Sequence, residues 1–277
     1  MKSTLAPSRV SFLTLVGYVY LVALASLAHA APLTSWTSSV GTGGSQLNTN
    51  SPVLVLTNGA QAIYAVSSTS YNLAVGDSIK LSGGVTFTGM NTTNTADQFR
   101  FGLYDSNGQT GTNGWLGYFA SNAGPSGGDT SSRLWERVNP NAANFYQNGA
   151  NQATMAAFVN ASPSNTAFAS GTYTFSLTYT RTASGMSIAW NLIGTDINYS
   201  LSRTFNDTTP QTFTFDRIGL ATLGLGSSTQ ANFSDLDLTY TPVPEPAVAS
   251  LLFAGLLVFA LRRRRSPQAW QPPASPS

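Results

Sequence analysis

Three residues spaced two apart, Arg133, Trp135 and Arg137, combine two cations with an indole. On a strand they share one face, with Leu134, Glu136 and Val138 on the other. Guanidinium groups flanking an indole suit an anionic sugar, since arginine forks match carboxylates and a flat ring stacks on a pyranose. Arg100 joins them if its strand lies alongside. Trp115 and Tyr118, after the loop that runs from Asp105 to Gly114, offer a second stacking platform, this one for neutral glycans. Each group also has a structural reading, as arginine stems covering apolar surface or as aromatic core plugs. Asp105 and Asn107, with Asp129, carry the hard oxygens that Ca²⁺ takes, although Asp-Ser-Asn-Gly is also an ordinary turn without EF-hand spacing. Thr172, Thr174 and Thr178 form a hydroxyl row that suits either a crystal-binding array or a solvated strand face.

Missing residue types narrow the chemistry further. The 277 residues include no Cys and one His, His29, so a body lacking that segment builds no Ser-His-Asp triad, cysteine nucleophile or His/Cys zinc site. Between Ala31 and Pro242 there is one Glu, Glu136, and no Glu-x-Asp-x-x-Glu pairing. Glycoside hydrolysis by two facing carboxylates is therefore disfavoured. A lyase remains open, with Tyr104 or Tyr118 as acid/base and Arg100 and Arg133 neutralising a uronate. Seven of the 13 basic residues and ten of the 11 acids fall in this body, which carries about −3. The clustered positive charge that nucleic acid demands is absent there.

Period-2 alternation supplies the elements that must position these groups. Tyr173, Phe175, Leu177 and Tyr179 alternate with threonines and a serine; Phe99, Phe101 and Leu103 alternate with Gln98 and Arg100. Met186, Ile188 and Trp190 follow the same rule, as do Leu236, Leu238 and Tyr240. Shorter runs at residues 53–57, 63–66, 79–87, 115–120, 133–138, 213–215 and 218–222 are punctuated by Asn-Gly, Gly-Gly and Ser-Gly. No long amphipathic helix is evident. One buried face per strand predicts an all-β fold, a jelly-roll β-sandwich of two antiparallel sheets over residues 31–242, with residues 139–171 as a long excursion over one sheet. Without cysteine, stability must come from a sizeable core.

The two ends carry addresses. Lys2 and Arg9 precede an apolar run to Ala28, and Ala28-His29-Ala30 before Ala31 is an A-x-A site. Residues 1–30 thus read as a signal peptide, a helix removed by signal peptidase after Ala30, with an uncleaved anchor as the alternative. At the far end Val243-Pro244-Glu245-Pro246 leads into an uncharged stretch, 247–261, then Arg262, Arg263, Arg264 and Arg265. Fifteen helical residues rise only about 22 Å, a marginal span, but the arginines behind it favour retention on the cytoplasmic side. This orients the body outside the cytoplasm. The Pro- and Ser-rich residues 266–277 read as a disordered tail.

Pro244-Glu245-Pro246, the short apolar helix and the arginine cluster together resemble the PEP-CTERM sorting signal of exported bacterial proteins, over residues 243–265. That resemblance implies processing by a membrane-embedded exosortase-type enzyme in bacteria that make extracellular polysaccharide. The structural alternative is an ordinary C-terminal anchor after a Pro-rich turn. Within the body, the order Phe-Arg-Phe-Gly-Leu-Tyr-Asp, Gly-Tyr-Phe-Ala, a Thr-rich strand, Phe-Asp-Arg-Ile-Gly-Leu and Phe-Ser-Asp-Leu-Asp-Leu is similar to a concanavalin A-like, laminin-G-like sandwich. The combined expectation is an exported surface or matrix protein, non-catalytic and associated with extracellular polysaccharide. It is held by its C-terminal helix in the inner membrane before processing, and it needs no cofactor beyond a conceivable Ca²⁺. A polysaccharide lyase and a ligand-free matrix filler are the rivals.

Overall fold

The computed structural model describes residues 28–40, 44–55, 61–90, 98–122, 132–138, 145–146, 152–157, 168–223, 230–243 and 255–256. The signal segment 1–27, the sorting residues Pro244, Glu245, Pro246 and Arg262 to Arg265, the tail 266–277 and Asp129 lie outside them, as does all of 247–261 except Gly255 and Leu256, which are helical. Among the described residues no helix is long and apolar enough to cross a membrane. The chain divides into a unit of residues 28–242 and a second unit of residues 1–27 and 243–277.

Among the described residues, every regular element of the first unit is a strand. In chain order these are β1 (His29–Pro32), β2 (Trp36–Val40), β3 (Gly44–Ser45), β4 (Val53–Val55), β5 (Gln61–Asn72), β6 (Ser78–Thr88), β7 (Gln98–Asp105), β8 (Leu116–Ser121), β9 (Arg133–Arg137), β10 (Gln152–Ala157), β11 (Gly171–Thr182), β12 (Gly185–Gly194), β13 (Ser200–Asp207), β14 (Thr214–Leu223) and β15 (Gln230–Thr241). One sheet runs β13-β12-β11-β6-β15-β4-β3, with β1 also on β15; the other runs β10-β9-β8-β7-β14-β5-β2. Every ladder is antiparallel, and the two sheets form the expected jelly-roll sandwich.

Alternation works as the sequence pattern implies. Tyr173, Phe175, Leu177 and Tyr179 of β11 are buried while Thr172, Thr174, Ser176 and Thr178 are not. The inner faces meet in a cluster of rings: Phe99 lies 5.1 Å from Phe101 and 5.3 Å from Phe175, and Phe101 lies 5.0 Å from Phe175. Burying these rings, with Leu81, Leu177, Ile218 and Leu220, stabilises the sandwich by roughly 1.5–3 kcal/mol per side chain. Runs 213–215 and 218–222, read separately from sequence, belong to the single strand β14, kinked where its register against β5 shifts between Phe215 and Arg217. Strands β1, β2, β3, β10 and β13 escape the periodicity reading. β1 pairs Ala30 with Thr239 and Ala31 with Leu238, so the expected peptidase cut falls within a strand of the full chain.

Candidate functional site

Period 2 divides the chemistry of the second sheet between its two faces. On β7, Phe99, Phe101 and Leu103 belong to the central core, whereas Tyr104 belongs to a separate buried cluster on the sheet's other face, with Ala62, Trp115, Phe119, Trp135, Phe145, Tyr146 and Ala221. Register then aligns the outward residues in rows. Arg100 pairs with Ser121 and Ser121 with Arg133; Gly102 pairs with Phe119 and Phe119 with Trp135; Tyr104 pairs with Gly117 and Gly117 with Arg137. β14 extends the rows with Ala221, Gly219 and Arg217. Arg100, Trp115, Arg133, Trp135 and Arg137 are thereby brought onto one face.

Two glycines leave a trough in the middle of this face, and Phe145 and Tyr104 fill it. A Cβ at Gly219 would overlap the Phe145 ring, and one at Gly102 would overlap the Tyr104 phenol, so these strand glycines mark close approach and not weakness. Trp115 stands against Tyr64 (5.3 Å, edge-on), Tyr104 (5.8 Å) and Phe145 (5.4 Å, planes 26° apart). Phe119 and Trp135 stack at 6.2 Å and 15°. Cations cap the rings: Arg100 lies 5.5 Å from Phe119, Arg133 5.5 Å from Trp135 and Arg217 6.0 Å from Trp115. Arg100 also donates to the Tyr146 carbonyl. Burial lowers the Arg100 pKa to about 10, with partial compensation from Tyr104 and Tyr146, so it stays cationic at neutral pH. Burial likewise lowers that of Arg137 and raises the Tyr104 phenol.

Of the two readings the sequence leaves for these groups, the structure places most of them inside: Trp115, Tyr118 and Arg137 are fully buried and Arg100 is 3% exposed; only Arg133 is partly open. Tyr118, moreover, is on the opposite face. It sits in the central core, where its hydroxyl donates to Asp207 Oδ2 at 2.7 Å. A sheet therefore separates Tyr118 from Arg100, Arg133 and Tyr104, and the four cannot act on one bond. Tyr64, Phe119, Phe145, Tyr146 and Arg217 went unnoticed in the sequence. The isolated glycines within Phe-Arg-Phe-Gly-Leu and Arg-Ile-Gly-Leu were the available clue.

Of the Ca²⁺ candidates, Asp105 and Asn107 are described and already hold other partners. Asp105 Oδ1 accepts from the Asn107 amide at 2.8 Å and Oδ2 from Thr212 Oγ1 at 2.8 Å, while Asn107 has φ 50°. These are the contacts of an Asx turn. Among the described residues no group of three His, Cys, Asp or Glu side chains could hold a metal. Thr172, Thr174 and Thr178 do line the outer face of β11, where Thr172 meets Thr86 at 3.2 Å.

A second polar site lies at the sandwich edge. Glu136, inward on β9, accepts the Gln211 amide at 2.9 Å and is within hydrogen-bonding reach of Asp207 and Tyr118. Asp207 also accepts the Thr209 amide at 2.9 Å, and the Gln211 amide on Glu136 fastens the segment after β13 to the opposite sheet. Desolvation, with a contribution from Asp207, lifts the Glu136 carboxyl to about 7.

No protein-family model matches the chain, and no curated protein matches it. Solved structures similar to it include the metal-free carbohydrate recognition domain of Emp46p, at 14% identity and TM-score 0.49 over 76% of this chain and 90% of that one. A Lotus tetragonolobus seed lectin gives 9% and 0.47 over 79% and 100%; the VIP36 exoplasmic/lumenal domain in its Ca²⁺/Man2-bound form gives 11% and 0.43 over 76% and 82%. At these identities and TM-scores the likeness is one of distant architecture.

Proposed function

We propose that this is an exported, non-catalytic surface or matrix protein whose sandwich associates with extracellular polysaccharide through the trough on the outer face of β7, β8, β9 and β14. The observation that carries the reading is the convergence of Trp115, Phe119 and Trp135 with Arg100, Arg133 and Arg217 over a glycine floor. Ring faces stack on pyranoses and guanidinium groups bind hydroxyl and carboxylate oxygens. A lyase mechanism fits this arrangement poorly: Tyr118 is across the sheet, and burial opposes ionisation of Tyr104. Export rests on the A-x-A site and on the Pro244-Glu245-Pro246 signal, with the uncharged segment and Arg262 to Arg265 behind it.

Pull-down of the full-length protein with a panel of acidic and neutral polysaccharides tests the reading. Retention by at least one of them, with loss in R133A, supports it. No retention across the panel favours the ligand-free matrix role, and new ultraviolet-absorbing unsaturated ends would establish the lyase instead.

A further inference from the structure

Phe145 and Tyr146 occupy the trough as a bound sugar would. The Phe145 ring lies nearly parallel to the Trp115 indole, 5.4 Å away and 26° off plane, directly above Gly219. The Tyr146 carbonyl offers an oxygen to the Arg100 guanidinium. A flat ring on an indole beside an oxygen on a buried arginine is the pair of contacts that a uronic acid would make.

The chain's own residues satisfy this site incompletely. Trp115 Nε1 is buried and finds no acceptor among the described residues, and neither does the buried Nε of Arg133. Buried donors of this kind are normally paired, and a phenyl ring brings no acceptor to them. Charge selects the ligand class: Arg100, Arg133, Arg137 and Arg217 are four of the body's seven cations.

Building on the polysaccharide reading above, we infer that the trough is a subsite for an acidic, uronate-type sugar, and that Phe145 and Tyr146 hold its place in the free protein and must be displaced for it to bind. The sugar ring takes the Phe145 position on Trp115, a hydroxyl accepts from Trp115 Nε1, and its carboxylate replaces the Tyr146 carbonyl on Arg100.

The full-length protein is titrated with polygalacturonate and, separately, with neutral dextran, by calorimetry and tryptophan fluorescence, for the wild type, F145A and F145L. A pair that occupies the trough nine-tenths of the time weakens apparent affinity about tenfold. F145A should therefore bind polygalacturonate about tenfold more tightly, with F145L between it and wild type and dextran bound by none. Thermal melts confirm which variants are folded, and F145L decides if F145A is not. Wild-type affinity in the folded variants would overturn self-occupancy while leaving the polysaccharide reading standing. Equal binding of dextran would overturn the acidic class. Binding of neither polymer by any form would overturn this inference, while retention across the wider panel decides the reading beneath it.

Discussion

Replacing Glu136 by Gln tests the buried carboxyl at the sandwich edge. The folded protein raises this group from 4.5 to about 7, chiefly by desolvation. The folded state thus holds its proton more tightly than the unfolded chain does. The stability this contributes is complete below about pH 4.5 and is lost as pH rises through 7, because folding then requires a buried negative charge. At about 1.36 kcal/mol per pKa unit the full effect is at most about 3.4 kcal/mol, and solvent access at the edge together with the Gln211 amide reduces it to roughly 1–3 kcal/mol. Gln keeps an oxygen for that amide and never ionises. Urea unfolding at pH 5, 6, 7 and 8 should show wild-type stability falling by roughly 1–3 kcal/mol across the series while E136Q stays level. The variant should be the more stable form at pH 8. The chain has one histidine and no cysteine, so few other groups change charge in this window. Parallel profiles for the two proteins would refute the assignment.

Three further outcomes are expected. Y118F removes the donor to Asp207 Oδ2 inside the core and should lower stability by about 1–3 kcal/mol, measured by urea denaturation, with the loss shrinking when Glu136 is also Gln. F175A empties the centre of the ring cluster, where Phe175 touches both Phe99 and Phe101, and should cost about 3–5 kcal/mol; a thermal midpoint within 2 °C of wild type would be incompatible with that packing. Mass spectrometry of the protein recovered outside its cells should find Ala31 at the amino terminus and no Arg262 to Arg265, and intact arginines in released material would contradict processing at the Pro244-Glu245-Pro246 signal.

The strands that could be read from the sequence were those with one strongly apolar face. β11 and β12 alternate aromatic or aliphatic side chains with polar ones over nearly their whole lengths, and the burial follows. β13 was missed because burial marks only Leu201 and Asp207 along its eight residues; its strand character is imposed by pairing with β12, from Met186↔Asp207 to Ile193↔Ser200. The site was half legible in the same sense. Arg133, Trp135 and Arg137 had to share a face, whereas the cover of Trp115 by Phe145 had no local signal.

The period of the backbone and the residue inventory were thus determined by the sequence alone: which side chains share a face, and which catalytic residue types the chain holds. Alternation is a property of a few consecutive residues. Only the tertiary structure decided which face meets the core, which strand lies beside which, and what fills the trough. Glu136 reaches Asp207, and Tyr146 reaches Arg100, across separations that depend on the register of whole sheets. That register is set by burying every inner face at once, a balance to which no short window of sequence has access.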